Sequence, residues 1–108
     1  MKDSNAIVVF ITTASRDEAQ SISNILIEKR QVACVNIVPQ VDSVFWWEGR
    51  VESEQECLLI AKTKTSVLNS VIDIVKQVHS YDVPEVIALP IVGGNGDYLN
   101  WINEEISE

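Results

Sequence analysis

The thiol of Cys34 and the imidazole of His79 are, with Cys57 and Met1, the side chains of this 108-residue chain that copper or zinc would choose. Cys34 falls early in an apolar, strand-like stretch, and His79 ends an amphipathic helical pattern. One βαβ layer can bring such positions together. The spacing itself is a weak signal, since there is no CxxC or HxxxH pair and a closed zinc site needs four ligands. A buried cysteine behaves more often as a small hydrophobe, and a histidine at a helix C-terminus complements the dipole. The residues alone therefore favour structural roles. The chemical alternative is a site shared between subunits and completed by Asp or Glu.

Trp47, Glu56, Lys62, Tyr81, Glu85, Tyr98 and Trp101 form a second constellation. Lys62 ends an otherwise apolar strand, so its ammonium is expected to pair with Glu56 or Glu85 rather than stay alone. Tyr and Trp combine an apolar body with a polar tip, which suits a pocket or an interface. A subunit interface is the plainer reading, because interfaces enrich these residues. An inter-subunit cleft for a small anion or metabolite is the sharper one.

Other motifs carry less. Gly93-Gly94-Asn95-Gly96 precedes a helical pattern and could cradle phosphate, but it lacks the GxGxxG and P-loop spacings and a following Lys. Asn95 or Asp97 acting as an ordinary N-cap explains it better. There is no serine elbow, and the lone His79 has no nucleophile partner in the sequence. Thr12-Thr13-Ala14-Ser15-Arg16 is the nearest approach to a phosphate loop between first strand and first helix. A small phosphohydrolase is therefore the weakest reading, and the chain is expected not to be an enzyme.

The bulk composition narrows the partners. There are 16 acidic against 8 basic residues, a net charge of −8, and no basic cluster longer than Lys29-Arg30. Nucleic-acid affinity comes mostly from Lys and Arg on phosphates, so a nucleic-acid partner is excluded. No stretch approaches the roughly 18 apolar residues of a membrane span. Met1–Ala6 runs into a strand without a signal-peptide pattern, and the expected location is the cytoplasm.

The elements that must position these residues follow from periodicity. Ala6–Thr13 is β-branched and apolar, a buried strand. Ser15 and Glu18 form a capping box ahead of a helix over about 16–31, striped by Ala19, Ile22, Ile25 and Leu26. Two strand arms, Val32–Trp47 and Val51–Thr63, flank the turn Glu48-Gly49-Arg50. At ~3.3 Å per residue the first arm spans roughly 50 Å, more than the roughly 35 Å diameter of a compact chain this size. The hairpin must bend or project, and a projecting tip bearing Val44, Phe45, Trp46 and Trp47 needs a partner surface. Thr65 or Ser66 opens a second helix that stops near His79. Val86–Val92 is a strand, with Pro90 implying an edge or bulge. Asp97–Ser107 is a final helix.

The order β-α-β-β-α-β plus a C-terminal helix predicts one α+β, ferredoxin-like domain over residues 1–108, with both long helices on one sheet face. Ile7-Val8-Val9-Phe10-Ile11 and Leu58-Leu59-Ile60-Ala61 are apolar on successive residues, so the other face also needs cover. A second copy of the chain is the simplest cover. Cys34 and Cys57 sit on opposite arms but several residues out of register, so no disulfide joins them.

Five segments in order carry a resemblance: Ala33–Pro39 (ACVNIVP), Trp47–Glu52 (WEGRVE), Leu58–Thr63 (LLIAKT), His79–Glu85 (HSYDVPE) and Tyr98–Ile102 (YLNWI). Together they resemble the CutA, or divalent-cation tolerance, family over nearly all of Ile7 to Ile102. The resemblance implies a homotrimer with architecture like the PII signalling proteins, and a link to divalent metals, copper especially. It also implies, in animal relatives, a role in enzyme anchoring. Weak binding of Cu2+ or another divalent cation, with Cys34 and His79 as ligands, is the corresponding expectation. A PII-like regulatory or scaffold trimer is the alternative. Two positions depart from the family pattern: Ser80 stands where Pro is usual, which should loosen the turn around His79, and Phe45 stands where Tyr is usual.

Overall fold

The computed structural model describes residues 5–107; Met1, one of the soft ligands named above, lies outside them. The elements are β1 (Ala6–Thr13), α1 (Arg16–Glu28), β2 (Cys34–Trp47), β3 (Arg50–Lys64), α2 (Leu68–Val78), β4 (Val86–Pro90) and α3 (Gly96–Glu105). The four strands form one sheet in the order β2-β3-β1-β4, with every adjacent pair antiparallel. This is the split-βαβ arrangement expected from the element order.

Register assigns the two faces. Ile7, Val9, Ile11 and Thr13 of β1 stand opposite Thr63, Ala61, Leu59 and Cys57 of β3. All eight are buried, and with Ala19, Ile22 and Leu26 of α1 and Val71 and Val75 of α2 they form the core. Val8, Phe10, Ile60 and Leu58 point to the opposite face, where one chain leaves them half-buried. On β4 the same face presents Ile87 and Leu89, 51% and 46% exposed. At one end α3 covers this face, with Ile102 and Ile106 buried and Asn103 accepting from Lys64 Nζ.

Several boundaries differ from the periodicity. The first helix ends at Glu28 rather than near 31, because Arg30 takes φ 55°. Arg30 N then bonds Ile27 O at 3.0 Å and Gln31 N bonds Leu26 O at 3.0 Å, which is a Schellman ending. Thr65–Val67 is a 3-10 turn, so the second α-helix starts only at Leu68. β4 stops at Pro90, near where β1 begins at Ala6: Ile91 N makes one more bond, to Ala6 O, and no partner strand remains among the described residues. Pro90 lies on the edge strand, where its missing N–H costs no ladder bond.

The hairpin projects. The described chain measures 47 × 26 × 22 Å with a radius of gyration of 14.5 Å, against about 13 Å for a compact chain of this length. Its turn is tighter than expected: Trp47 pairs with Arg50, leaving Glu48 (φ 50°) and Gly49 (φ 79°) as a two-residue loop. Two positive φ values mark the type I′ geometry that matches strand twist. Midway, register shifts between Val38 and Val41, and the Cys57 thiol donates to Pro39 O at 3.0 Å across this bulge. The shift places Cys34 opposite Lys62 rather than Thr63 or Lys64, and both cysteines are free.

Candidate functional site

The expected constellation divides between the two ends of the open sheet face. At one end the loop following α2 folds back over the root of the hairpin. His79 caps α2, and its side chain is fully buried. Its Nε2 lies 2.7 Å from Thr12 O, so Nε2 carries the proton and donates. Its Nδ1 accepts from Tyr81 N at 3.0 Å. Both ring nitrogens are therefore engaged in a neutral imidazole. The Tyr81 ring packs against His79, with centroids 4.7 Å apart. Its hydroxyl donates to Glu56 Oε2 at 2.7 Å. Burial, followed by the Glu56 hydrogen bond and the charges of Glu56, Glu18 and Glu54, pushes the Tyr81 phenol far above its ordinary value.

Glu18 locks the same loop from the helix side. Ser15 Oγ accepts from Glu18 N at 3.1 Å, as a capping box requires. The Glu18 carboxylate reaches further than that motif. Its Oε1 accepts from Ala14 N at 3.0 Å and Ser80 Oγ at 3.1 Å, while Oε2 accepts from Ser80 N at 2.6 Å. Ser80 thus tightens the turn that it was expected to loosen. A proline there would have no N–H to give.

Between this loop and the hairpin lies an open groove of about 740 Å³. Trp47, Glu56, Tyr81 and Glu85 line it with Phe45 of the hairpin tip, together with Glu52, Glu54 and Asp82, which the sequence reading had not singled out as site residues. The alternation Glu52-Ser53-Glu54-Gln55-Glu56 was the available signal: period two on a strand puts three carboxylates on one face. No Lys or Arg is among the lining residues. Such a surface repels the small anion expected for a cleft here.

Lys62, Tyr98, Trp101 and Cys34 belong to the other end. Lys62 pairs with neither Glu56 nor Glu85; its ammonium donates to Asn36 Oδ1, and Cys34 is its cross-strand neighbour. The separation follows from strand rise, since six residues of β3 put Glu56 roughly 20 Å from Lys62. Tyr98 and Trp101 stack on α3 with centroids 5.4 Å apart. Burial, with the Cys34 sulfur beside it, raises the Tyr98 phenol above its usual value.

The two proposed metal ligands are also kept apart. Cys34 is level with Val8 of β1 through Lys62, whereas His79 is level with Thr12. Four residues along β1 and two strands across make this roughly 15 Å. Among the described residues no group of three or more His, Cys, Asp or Glu side chains could hold a metal ion. The described residues of one chain therefore do not assemble the ligand set, and His79 has no lone pair to offer in this tautomer.

Known proteins share this arrangement. A rice chloroplast protein named CutA 1 is 47% identical over 95% of this chain, and a Thermus thermophilus divalent-cation tolerance protein CutA is 46% identical over 90%. The chain spans 58% of the rice protein's length, 53% of an Arabidopsis thaliana relative's and 94% of the Thermus one's. The solved structure of CutA1 from Oryza sativa superposes with TM-score 0.94 at 45% identity, covering 98% of this chain and 97% of that one. The Thermus thermophilus structure gives 0.93 at 44% identity, covering 94% and 99%. The family model described as CutA1 divalent ion tolerance protein matches residues 7–105, from the second residue of β1 to the last of α3. With sheet order, hairpin and sequence in agreement over that span, the chain belongs to the CutA1 divalent ion tolerance family.

Proposed function

We propose that the protein is a cytoplasmic, non-enzymatic homotrimer serving divalent-cation tolerance, and that it binds copper or another divalent metal weakly. The observation that carries this reading is the apolar surface one chain leaves bare. Ile87 and Leu89, 51% and 46% exposed, continue the half-buried row of Val8, Phe10 and Ile60 across the open sheet face, and Val44 and Trp46, 70% and 74% exposed, stand on the other side of the ribbon beyond the helices. Monomers rarely expose patches larger than a few hundred Å², and sister chains in a closed ring cover such a face identically in every subunit. A trimer rather than a dimer is what the resemblance to the CutA family implies.

Cys34 is the soft ligand in this reading, and its companions come from a neighbouring subunit, since the one chain does not gather them. The net charge of −8 favours cations around the assembly. Support for a non-enzymatic role comes from His79, whose two nitrogens are held by Thr12 O and Tyr81 N and so cannot act as a base. Native mass spectrometry with and without copper tests the whole reading. It should report a trimer that gains copper, and Cys34→Ala should lower the gain. A monomer at micromolar concentration would refute the assembly, and unchanged uptake by the variant would remove Cys34 from the site.

The groove favours a second reading: a PII-like regulatory or scaffold trimer that holds a small ligand between subunits, with metal binding incidental. The two separate on whether Cys34 or the groove residues govern ligand affinity.

A further inference from the structure

The turn between β4 and α3 carries a glycine that its conformation does not demand. Residues 91–95 hold no regular structure, and Val92 through Asp97 are all exposed, Val92 completely. Gly96 opens α3 without a left-handed φ, and a Cβ on it would meet nothing within 4 Å. Neither backbone nor space asks for glycine there. What glycine does supply is an uncrowded N–H. As the first donor of a helix it has no partner inside α3, and no group of the described residues accepts it.

That N–H stands next to an amide it can attack. Asn95 caps α3, its Oδ1 accepting from Asp97 N at 2.9 Å. The bond folds the side chain back toward the Asn95–Gly96 peptide and draws electron density from Cγ. Asn95 itself lies outside the helix at φ −62° and ψ 117°. Bringing Gly96 N onto Cγ takes a rotation about ψ, which the irregular segment before it can absorb. Of the asparagines in the chain, this one alone precedes glycine. The others precede Ala6, Ile25, Ile37, Ser70, Trp101 and Glu104, whose side chains crowd the nucleophile.

We propose that Asn95–Gly96 is a site of spontaneous covalent self-modification. Gly96 N bonds to Asn95 Cγ, the Cγ–Nδ2 bond breaks, and the Gly96 proton leaves with Nδ2 as ammonia. Water then opens the cyclic imide at one carbonyl or the other. One product is aspartate at position 95, which still caps the helix and adds negative charge where the dipole favours it. The other is isoaspartate, whose backbone runs through the side chain, is longer by one methylene and leaves α3 uncapped. The modification therefore acts on the helix that covers the end of the sheet through Ile102 and Ile106. The chemistry needs only water, and neither a metal nor a partner chain.

Incubation of the full chain in mildly alkaline buffer below its melting temperature, followed by peptide mapping and enzymatic isoaspartate labelling, tests it. Asn95 should convert about tenfold faster than any other asparagine, because glycine alone leaves the following N–H uncrowded. Isoaspartate should be the larger product. Gly96→Ala, for which the fold has room, should slow conversion by a similar factor and leave the far-UV circular dichroism unchanged. Protein enriched in isoaspartate should melt below fresh protein, whereas Asn95→Asp should melt as high or higher. An amide at position 95 that survives in the folded chain while the urea-unfolded chain converts would show that the cap locks the bond, and would overturn the proposal. So would conversion that Gly96→Ala does not slow. Aspartate without isoaspartate would mean direct hydrolysis with no ring, and would overturn it too.

Discussion

The Tyr81 hydroxyl donates to Glu56 Oε2 at 2.7 Å, tying the loop after α2 to the middle of β3 across 25 residues of sequence. Because Glu56 is nine-tenths buried, this bond keeps a charged oxygen solvated inside the protein. Tyr81→Phe preserves the ring stack on His79 and removes only the donor. It should lower the unfolding free energy by about 1–3 kcal/mol, the cost of an unsatisfied buried acceptor. Glu56→Gln, which keeps an oxygen acceptor and sheds the charge, should cost less than Tyr81→Phe. Urea denaturation of both variants checks the order; a Tyr81→Phe protein as stable as wild type would mean that the carboxylate is solvated some other way.

Glu18 makes the same loop sensitive to acid. Burial alone would raise its carboxyl, but the donors Ser80 N, Ala14 N and Ser80 Oγ outweigh burial and hold it below the ordinary value of 4.5. A carboxyl whose folded value lies below the unfolded one adds stability above the unfolded value and loses it as pH falls through the folded one. Stability should therefore decline on acidification below about pH 4.5. Glu18→Gln should be less stable than wild type at pH 7, and the gap should narrow at pH 3. Thermal melts across that range measure it, and a constant gap would assign Glu18 a role independent of its charge. Ser80→Pro removes the Ser80 N–H and hydroxyl together and should destabilise at pH 7.

How much of this could be read from the residues depends on the range of the interaction. Strand β1, the capping box and the hairpin arms are set by local periodicity and cap chemistry, and they were legible to within a residue or two. The helix ending at Arg30 was not, because a Schellman turn normally announces itself with glycine and here a non-glycine residue takes the left-handed conformation. Partners fixed by register were harder still. The pattern pairs Lys62, at the end of an apolar strand, with Glu56 or Glu85, yet Glu56 shares its strand six residues away, and Lys62 donates to Asn36 on the neighbouring strand instead. His79 was recognised as a helix-terminal residue, but the donation of its Nε2–H to Thr12 O and the acceptance by its Nδ1 from Tyr81 N need tertiary contacts that no pattern shows.

The hairpin turn carries a strain that can be relieved. Glu48 adopts φ 50°, which for a side chain other than Asn, Asp or Gly costs roughly 1 kcal/mol. Glu48→Asn should stabilise the protein by about 0.5–1 kcal/mol. Gly49 has open space around its Cα, so a methyl group would meet nothing, but its φ is 79°. Gly49→Ala should therefore destabilise by about 1–2 kcal/mol through backbone strain alone. Denaturation midpoints of the two variants should move in opposite directions, and movement in the same direction would exclude a type I′ turn.

The outer face of the ribbon offers the most direct check on assembly. After the bulge, Val44 and Trp46 point away from Phe45 and Trp47, and Trp46 pairs across the ribbon with Val51, 56% exposed. An isolated two-stranded ribbon is marginal in water, and this one keeps its apolar side toward solvent in a single chain. If sister subunits cover it, Trp46→Glu places a carboxylate in the contact and leaves the subunit core, which Trp46 does not touch, intact. Analytical ultracentrifugation should then show the wild type as a larger species and the variant shifted toward monomer, with unchanged far-UV circular dichroism. Removing the Trp46 side chain from the contact should also weaken association strongly, since buried Trp is a frequent hot spot worth about 2 kcal/mol or more. A Trp46→Glu protein that sediments as wild type does would place the ribbon's apolar side outside every subunit contact.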